Sequence, residues 1–464
     1  MGQTEQRTET DKREENKMGI MPVKRLIVSM SLPMMASMLV QALYNIVDSI
    51  FVSRIGEDAL TAVSMAFPVQ TLMVAVAVGT GVGVNALLSR SLGEKNFEMA
   101  DRAANAGIFL MAASYVVFCI FGIFGVGVFF ESQVDMAQPN AAAIVEYGTS
   151  YLFICIIGSF GFMLQMMLER LLQATGKTFY TMLTQGTGAI LNIILDPILI
   201  FGYFGMPEMG IRGAALATVA GQIVAMIMAL WFNIRKNKEI HLSVRKMRPE
   251  AAAIKKIYWV GVPSVIMQAI GSVMTFGMNK ILSPISTTAV AVFGSYFKLN
   301  SFIFMPVFGL NNGLIPIIAY NYGARQKKRI VEAVRFSMMI AVSIMFVGLC
   351  VFLAIPDKLL LLFDASPHML EIGVPALRII STHFILAGAS IVLMSIYQAF
   401  GEGFLSLAIS VLRQLVVILP VAYLLSKVVG LGAVWWSFPI AEICSLSLSI
   451  IFFKRLYKNK IQML

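Results

Sequence analysis

The chain has 464 residues, 58% of them hydrophobic and only 13% charged, with a mean hydropathy of +0.80. Soluble domains carry about 25% charged residues, so a soluble protein is excluded; apolar runs of about 20 residues, each long enough to span a bilayer as a helix, replace the multi-domain reading that length alone suggests. The net charge of +11 does not mark a nucleic-acid partner, because the basic residues cluster in short connections between apolar runs, as the positive-inside rule requires.

Residues 1–20 carry Arg7, Asp11, Lys12, Arg13, Glu14, Glu15 and Lys17 with almost nothing apolar, so a disordered cytoplasmic tail is expected over 1–23 and no cleavable signal. Apolar spans then follow at 27–51, 60–88, 104–130, 147–170, 179–203 and 211–234, and after a basic stretch at 257–283, 288–320, 336–355, 374–398, 404–425 and 433–453. The run lengths fit helices; barrel strands would be segments of about 10 residues with alternating polarity. Connections 89–103, 235–256 and 321–335 and the tail after 453 are rich in Lys and Arg, whereas 131–146, 204–210 and 284–287 contain none. Twelve helices with both termini cytoplasmic put every basic connection on one side. The expected fold is therefore an all-α integral membrane protein of the plasma (inner) membrane. Its expected parts are an N-lobe at 24–234, a cytoplasmic linker at 235–256, a C-lobe at 257–455 and a tail at 456–464. The four cysteines, Cys119, Cys155, Cys350 and Cys444, all lie in apolar segments and read as small hydrophobes.

The two halves repeat. Sliding the chain by 230 residues superimposes Pro33 on Pro263, Gly79 on Gly309, Gly83 on Gly313 and Gly93 on Gly323; an offset of 225 brings Gln173-Ala174 and Gly176 onto Gln398-Ala399 and Gly401. Two pseudo-symmetric bundles of six helices with a site between them are a transporter architecture.

Acids inside such a bundle cost about 2.5–3.5 kcal/mol on insertion scales, so each one asks for a role. Asp48 falls late in helix 1; Asn192 and Asp196 are four residues apart on one face of helix 5; Thr218 is about two turns into helix 6. At 1.5 Å per residue all four fall in the outer half of the bilayer, within about 5–10 Å of a common depth. Two carboxylates, an amide and a hydroxyl form an all-oxygen set suited to Na⁺. The same pair of acids also suits a single shared proton, because adjacent carboxylates resist both ionising. Pro197 removes a backbone donor beside Asp196 and can bend helix 5. The acids are not duplicated: Asp48 aligns with Met278 and Asp196 with Leu419. In the second half Lys298, Arg413 and Glu442 form a candidate charge network, in which Glu442 is expected to pair with Arg413 or Lys298 as a structural or gating bridge.

The segments PMMASMLVQALYNIVD (33–48), QATGKT (173–178), NIILDP (192–197), GAALAT (213–218), YNYGA (320–324) and QAFG (398–401) resemble the multidrug and toxic-compound extrusion (MATE) family, and the resemblance covers residues 24–455. It implies a V-shaped central cavity between the lobes and exchange of inward Na⁺ or H⁺ for outward drug by alternating access. It further implies that Asp48, Asn192, Asp196 and Thr218 form an N-lobe cation site flanked by Gln41 and Tyr44, and that helix 1 bends at Pro33. Family members with a C-lobe cation site carry an acid on helix 7, where this chain has Gln268. Met34, Met35 and Met38 lie near the presumed cavity, an adaptable wall for varied cations.

Gly176-Lys177-Thr178 ends like a phosphate-binding loop, but position 171 is leucine instead of the first glycine, and no βα unit hosts it. The three histidines (His241, His368, His383) lack metal-ligand spacing, and no nucleophile–His–acid set is visible, so no enzyme and no cofactor is expected. The leading expectation is a monomeric secondary exporter of cationic amphipathic small molecules. The alternative is a flippase of a lipid-linked oligosaccharide or another amphipathic lipid, which would call for more than twelve helices or a cavity lined with Lys and Arg.

Overall fold

The computed structural model describes residues 15–134, 140–243 and 250–464. The expectations for residues 1–14 and the basic side chains Arg245, Lys246 and Arg248 lie outside the described residues. Twelve spans succeed one another: α1 (Val23–Ser53), α2 (Glu57–Gly93), α3 (Phe97–Phe124), α4 (Ala141–Ile157 with Ser159–Ala174), α5 (Thr178–Phe201) and α6 (Ile211–Lys236), then α7 (Ala251–Leu282), α8 (Thr287–Gly323), α9 (Lys327–Ala354), α10 (Pro367–Ser381 with Phe384–Ala399), α11 (Gly403–Val428) and α12 (Leu431–Ile461). Ten are long and apolar enough to cross a bilayer as they stand; α4 and α10 are bent pairs, by 43° and 47°. The bent spans occupy the fourth position of each half, so the duplication extends to the shape of its helices. Many large apolar side chains are exposed, among them Phe124, Val117 and Ile451, as expected of helices that face lipid.

Most spans extend beyond the apolar runs. Residues 321–335 were expected to be a basic connection, yet the turn there is confined to 324–326, and Lys327, Arg329 and Arg335 lie on α9 itself. Charge ends an apolar window but not a helix, since a helix end projects past the hydrocarbon and keeps its backbone bonds there. The third span begins and ends earlier than read: α3 runs from Phe97 to Phe124, and Val126–Gln133 forms a separate helix after Gly125.

The repeat is visible in the turns. Lys95 after α2 and Arg325 after α8 both adopt left-handed backbone, φ +56° and +54°. The flanking bonds match: Asn96 N to Ser91 O in one half, Gln326 N to Asn321 O in the other. Each is a helix C-terminus closed by a left-handed residue, with a basic side chain complementing the helix dipole. Gly176 and Gly401 repeat the device after α4 and α10, at φ +86° and +80°.

Two apolar cores result, one drawn from residues 52–257 and the other from 18–30 and 274–461. The lobes exchange helix ends. Val23, Leu26, Ile27 and Met30 at the start of α1 belong to the C-terminal core, and Ala253 and Ile257 at the start of α7 belong to the N-terminal one. Where α2 and α8 end, Gly93 and Gly323 meet across the lobes: a Cβ on either would overlap the carbonyl of Tyr320 or Arg90. Lipid gives apolar helices no reason to associate, so such backbone contacts between small residues carry the association.

The first described residues depart from expectation. A tail disordered to residue 23 does not hold over 15–23, because Lys17–Ile20 forms a helix capped by Asn16, whose Oδ1 accepts from Met18 N at 2.9 Å. Met18 is fully buried, and a single apolar anchor with good polar partners is enough to order a short segment. Asn16 Nδ2 donates to Thr175 O in the N-lobe at 2.9 Å, while Arg329 of the C-lobe donates to Met18 O and Met21 O at 2.9 and 2.8 Å. Burial holds the Lys17 ammonium below its usual value; Lys177 beside it acts the same way and Glu239 opposes both. The far end of the chain meets the same face, where Lys327 Nζ donates to Gln462 O at 3.1 Å and Lys460 pairs with Glu402.

Gly93→Val and Gly323→Val should each lower the melting temperature of the purified protein, by the equivalent of about 1–3 kcal/mol for an overpacked contact. Thermal unfolding in detergent checks this, and unchanged melting in both variants would mean that α2 and α8 do not meet backbone to backbone.

Candidate functional site

The space between the lobes is a cavity of about 730 Å³. Its N-lobe wall includes Met34, Met38, Gln41 and Tyr44 from α1 with Asn192 and Thr218 from α5 and α6. Gln41 and Tyr44 therefore lie where the helical spacing put them, one turn apart on the inward stripe of α1. Pro33 and Pro197 both sit within unbroken helices.

Behind this wall Asp196, Asn192 and Thr218 form one hydrogen-bonded group. An amide's oxygen and nitrogen are assigned from its partners. With the nitrogen of Asn192 turned toward Asp196, it donates to Asp196 Oδ2 at 2.9 Å. Its oxygen then accepts from Thr218 Oγ1 at 3.1 Å and from Thr218 N at 3.0 Å. The i, i+4 spacing of Asn192 and Asp196 places both on the face of α5 toward α6. Asp196 Oδ1 is buried and has no hydrogen-bond partner. Asp48, half-buried and off the cavity wall, interacts electrostatically with Asp196, and Tyr44 interacts with both acids. Helix packing thus brings together Asn192, Asp196 and Thr218, whereas Asp48 stands apart from this hydrogen-bonded group and lines a separate pocket with Leu60, Ser64 and Phe67 of α2. Among the described residues one acceptor remains without a protein donor, and an all-oxygen set of this kind fits a proton or a small cation.

A second polar group was missed in the sequence. Glu169 and Arg170 lie inside α4, which continues to Ala174 instead of ending at residue 170. Glu169 is fully buried and accepts from Gln165 Nε2 at 3.0 Å, Thr184 Oγ1 at 2.8 Å and Gln185 Nε2 at 2.7 Å. Arg170 lines the cavity and donates across the lobes to Asn312 Oδ1 at 3.0 Å, and also to Gln173 at 2.9 Å. The available signal was an acid–base pair with nine apolar or amide residues before it and four after it, which boundary placement had assigned to the membrane surface.

In the C-lobe Arg413 Nη1 faces Glu442 Oε2 at 3.6 Å, and both residues line the cavity. Lys298 does not join them: its ammonium lies over the Phe363 ring, 5.8 Å from the centroid, on the exposed side of α8. Position 298 differs from the inward face of α8 by the helical period, which linear charge counting ignores. His383 sits at the break in α10, with Nδ1 bonded to Ile380 O, a buried and satisfied histidine. Gln268 lines the cavity on α7. Lys177, the apparent phosphate-loop lysine, is held by Glu239 at 2.7 Å.

The MatE family model matches residues 33–198 and 263–424, one copy in each half. Among curated proteins the chain is 27% identical over 419 residues to the multidrug export protein MepA of Staphylococcus haemolyticus, covering 90% of each. It is also 27% identical over 427 residues to an FAD transporter of Shewanella oneidensis, covering 91% of this chain and 92% of that one. Among solved structures it is similar to a multidrug-resistance MATE family transporter of the MOP superfamily in an outward-facing conformation. That match has a TM-score of 0.89 and 26% identity over 97% of this chain and 99% of the other.

Glu169→Ala should destabilise the folded protein by about 3–5 kcal/mol, since it leaves the buried Arg170 charge uncompensated. Glu169→Gln, which keeps its contacts to Thr184 and Gln165, should cost less. Both substitutions remove the charge, so the difference between the two melting temperatures measures the lost side-chain contacts, and a wild-type melting temperature in Glu169→Gln would remove charge compensation from the explanation.

Proposed function

The chain belongs to the MatE family, the multidrug and toxic-compound extrusion transporters, and from that premise we propose that it exports organic cations outward in exchange for Na⁺ or H⁺. It is a multi-pass membrane transporter and not an enzyme. In this reading it lies in the plasma membrane with both termini and the basic connections in the cytoplasm, and it works as a monomer.

The observation that carries the coupling step is the unpartnered Asp196 Oδ1 beside the Asn192–Thr218 pair, with Asp48 as a second carboxylate nearby. Two acids with no basic partner in their own hydrogen-bonded group cannot both stay ionised in a membrane without a cation. An entering Na⁺ or proton compensates them and draws α1 toward α5. Cation release restores the repulsion and favours the other arrangement. Tyr44 links this group to the cavity, because it interacts with both acids and also lines the wall that cargo touches. Pro33 and Pro197 each remove one intrahelical hydrogen bond, so α1 and α5 can bend at those points with little loss. The crossing at Gly93 and Gly323 closes the basic end, and the similarity to an outward-facing relative supports an outward-facing state for this conformation.

The lipid flippase is not favoured. Among the described residues the cavity wall carries no lysine, and each of its two arginines, Arg170 and Arg413, has a carboxylate beside it. A pyrophosphate-bearing lipid would meet no surplus positive charge.

Ethidium transport in everted membrane vesicles under an imposed Na⁺ or pH gradient tests the proposal. Transport should follow one gradient and fall by at least about tenfold in Asp196→Asn and Asp48→Asn, the scale of a coupling free energy above 1 kcal/mol. Transport that persists in both variants with its ion dependence intact would remove the coupling role.

A further inference from the structure

Arg413 and Glu442 are a poorly matched pair in a well-ordered place. Their closest approach is 3.6 Å, longer than a hydrogen bond. Among the described residues no hydrogen bond reaches either side chain, and Glu442 Oε1 is buried with no partner, although the side chain is only 3% exposed. The guanidinium has five donors and the carboxylate about four acceptor sites, so the protein itself supplies few of the partners these groups can take.

The helix that carries Arg413 is itself irregular. Pro420 has no N–H, so the carbonyl of Val416 loses its α-helical partner, and α11 widens to a π-helical stretch over Leu412–Ile418. That widening turns Arg413 and Gln414 toward the cavity, and Gln414 Nε2 is already bound to Ser410 at 2.9 Å.

Around the pair stands an aromatic wall. Tyr296 and Phe438 have ring centroids 5.8 Å apart, His383 and Phe438 6.0 Å, and Phe304 and His383 6.2 Å. All four rings line the cavity, and Tyr296 and His383 interact electrostatically with both Arg413 and Glu442.

We propose that Arg413 and Glu442, with this aromatic wall, form a C-lobe subsite for an amphoteric aromatic ligand, its anionic group on Arg413 and its ammonium on Glu442. Charge balance selects this class. A simple cation on Glu442 displaces Arg413 and leaves a net positive charge in the site. A simple anion on Arg413 takes the guanidinium away from a buried carboxylate. A ligand with both charges satisfies both groups and leaves the site neutral, and rotation about the last torsion of Glu442 presents either oxygen to it. The flat part of the ligand packs on Phe438, Tyr296 and Phe304. The N-lobe acids have no such basic neighbour, so the two halves of one cavity differ in the charge pattern they accept.

This subsite rests on the exporter reading, and a matched pair of fluorescent probes separates the two. The first probe is an unesterified rhodamine with a free benzoate, an aromatic zwitterion; the second is its methyl ester, a plain cation of nearly the same shape. Efflux of each from cells is measured for wild type, Arg413→Met, Arg413→Lys and Glu442→Gln, after monodispersity and melting temperature confirm folding. Arg413→Met should lower efflux of the zwitterion about tenfold, the loss of one charge-assisted contact, and leave efflux of the ester equal or higher, because the competing positive charge beside Glu442 is gone. Arg413→Lys should restore part of the loss, and Glu442→Gln should weaken both probes. Equal losses for the two probes in Arg413→Met, or no loss for either, overturn the subsite. Wild-type efflux of the ester but not of the zwitterion overturns the subsite and leaves the exporter reading standing. Efflux of neither probe overturns both. If Arg413→Met fails to fold, Arg413→Gln provides the same comparison.

Discussion

The rest of the molecule depends on one contact, the backbone crossing of α2 and α8 at Gly93 and Gly323. Each glycine leaves room for a carbonyl of the other helix, so the two long central helices of the lobes touch without side chains between them. The same logic runs outward from this point. Gly79 and Gly83 of α2 lie against Gly261 and Ile257 of α7, and Gly309 and Gly313 of α8 lie against Met35 and Ser31 of α1. In lipid, where burying a leucine against protein gains little over burying it against acyl chains, these close approaches supply the dispersion contacts that hold helices together. They also explain why the lobes exchange the ends of α1 and α7. At the α2–α8 crossing itself no large side chain stands between the backbones, so these two helices can part there without exposing large apolar groups.

Polar content is distributed according to that geometry. At the crossing, the Lys17–Ile20 helix, Asn321 and Arg329 supply donors and acceptors between the lobes, with Asn321 Nδ2 and Arg329 Nη2 both on Met18 O. At the other end of α1 and α5 the acids have too few donors. One end of the bundle is therefore saturated with hydrogen bonds, whereas the other holds an acceptor without a partner. A cation that binds at the unsatisfied end changes the balance of a structure fixed at the saturated one.

Much of this was legible in the sequence because the chain states it twice. The offsets that aligned Gly93 with Gly323 and Gly176 with Gly401 foretold equivalent turns, and the backbone torsions of Lys95 and Arg325 match to within a few degrees. The grouping of Asp196, Asn192 and Thr218 followed from helical spacing and depth. What remained hidden was whatever depends on rotation about a helix axis or on contacts distant in sequence. Lys298 and Glu442 share a lobe but not a face. Glu169 finds Thr184 and Gln185 on the next helix, and no linear pattern in α4 announces those partners. Met18 is buried only because Tyr320, Asn321 and Arg329 converge on it from more than 300 positions away. The bends in α4 and α10 occur at Gly158 and around His383, residues that also serve unbent helices elsewhere.

The repeat has one further consequence where it fails. The positions that align with Asp48 and Asp196 are Met278 and Leu419, and there the C-lobe is dry: Met278 is fully buried, Leu419 packs on the same core, and Gly277 admits the Leu419 side chain at close range. The α7–α11 contact thus occupies the place that the acids occupy between α1 and α5. A packed apolar contact has no charge to bind or lose, so it holds the same geometry whatever cation is present. The acid-bearing contact carries a free energy that changes with occupancy. Under the proposed coupling, one copy of the scaffold responds to cations and the other, at the same position, does not. If both copies carried acids, each lobe would respond to cations and neither would provide a fixed frame for the other to move against. In that proposal the loss of symmetry at these two positions makes the α1–α5 contact the moving part and the α7–α11 contact its reference.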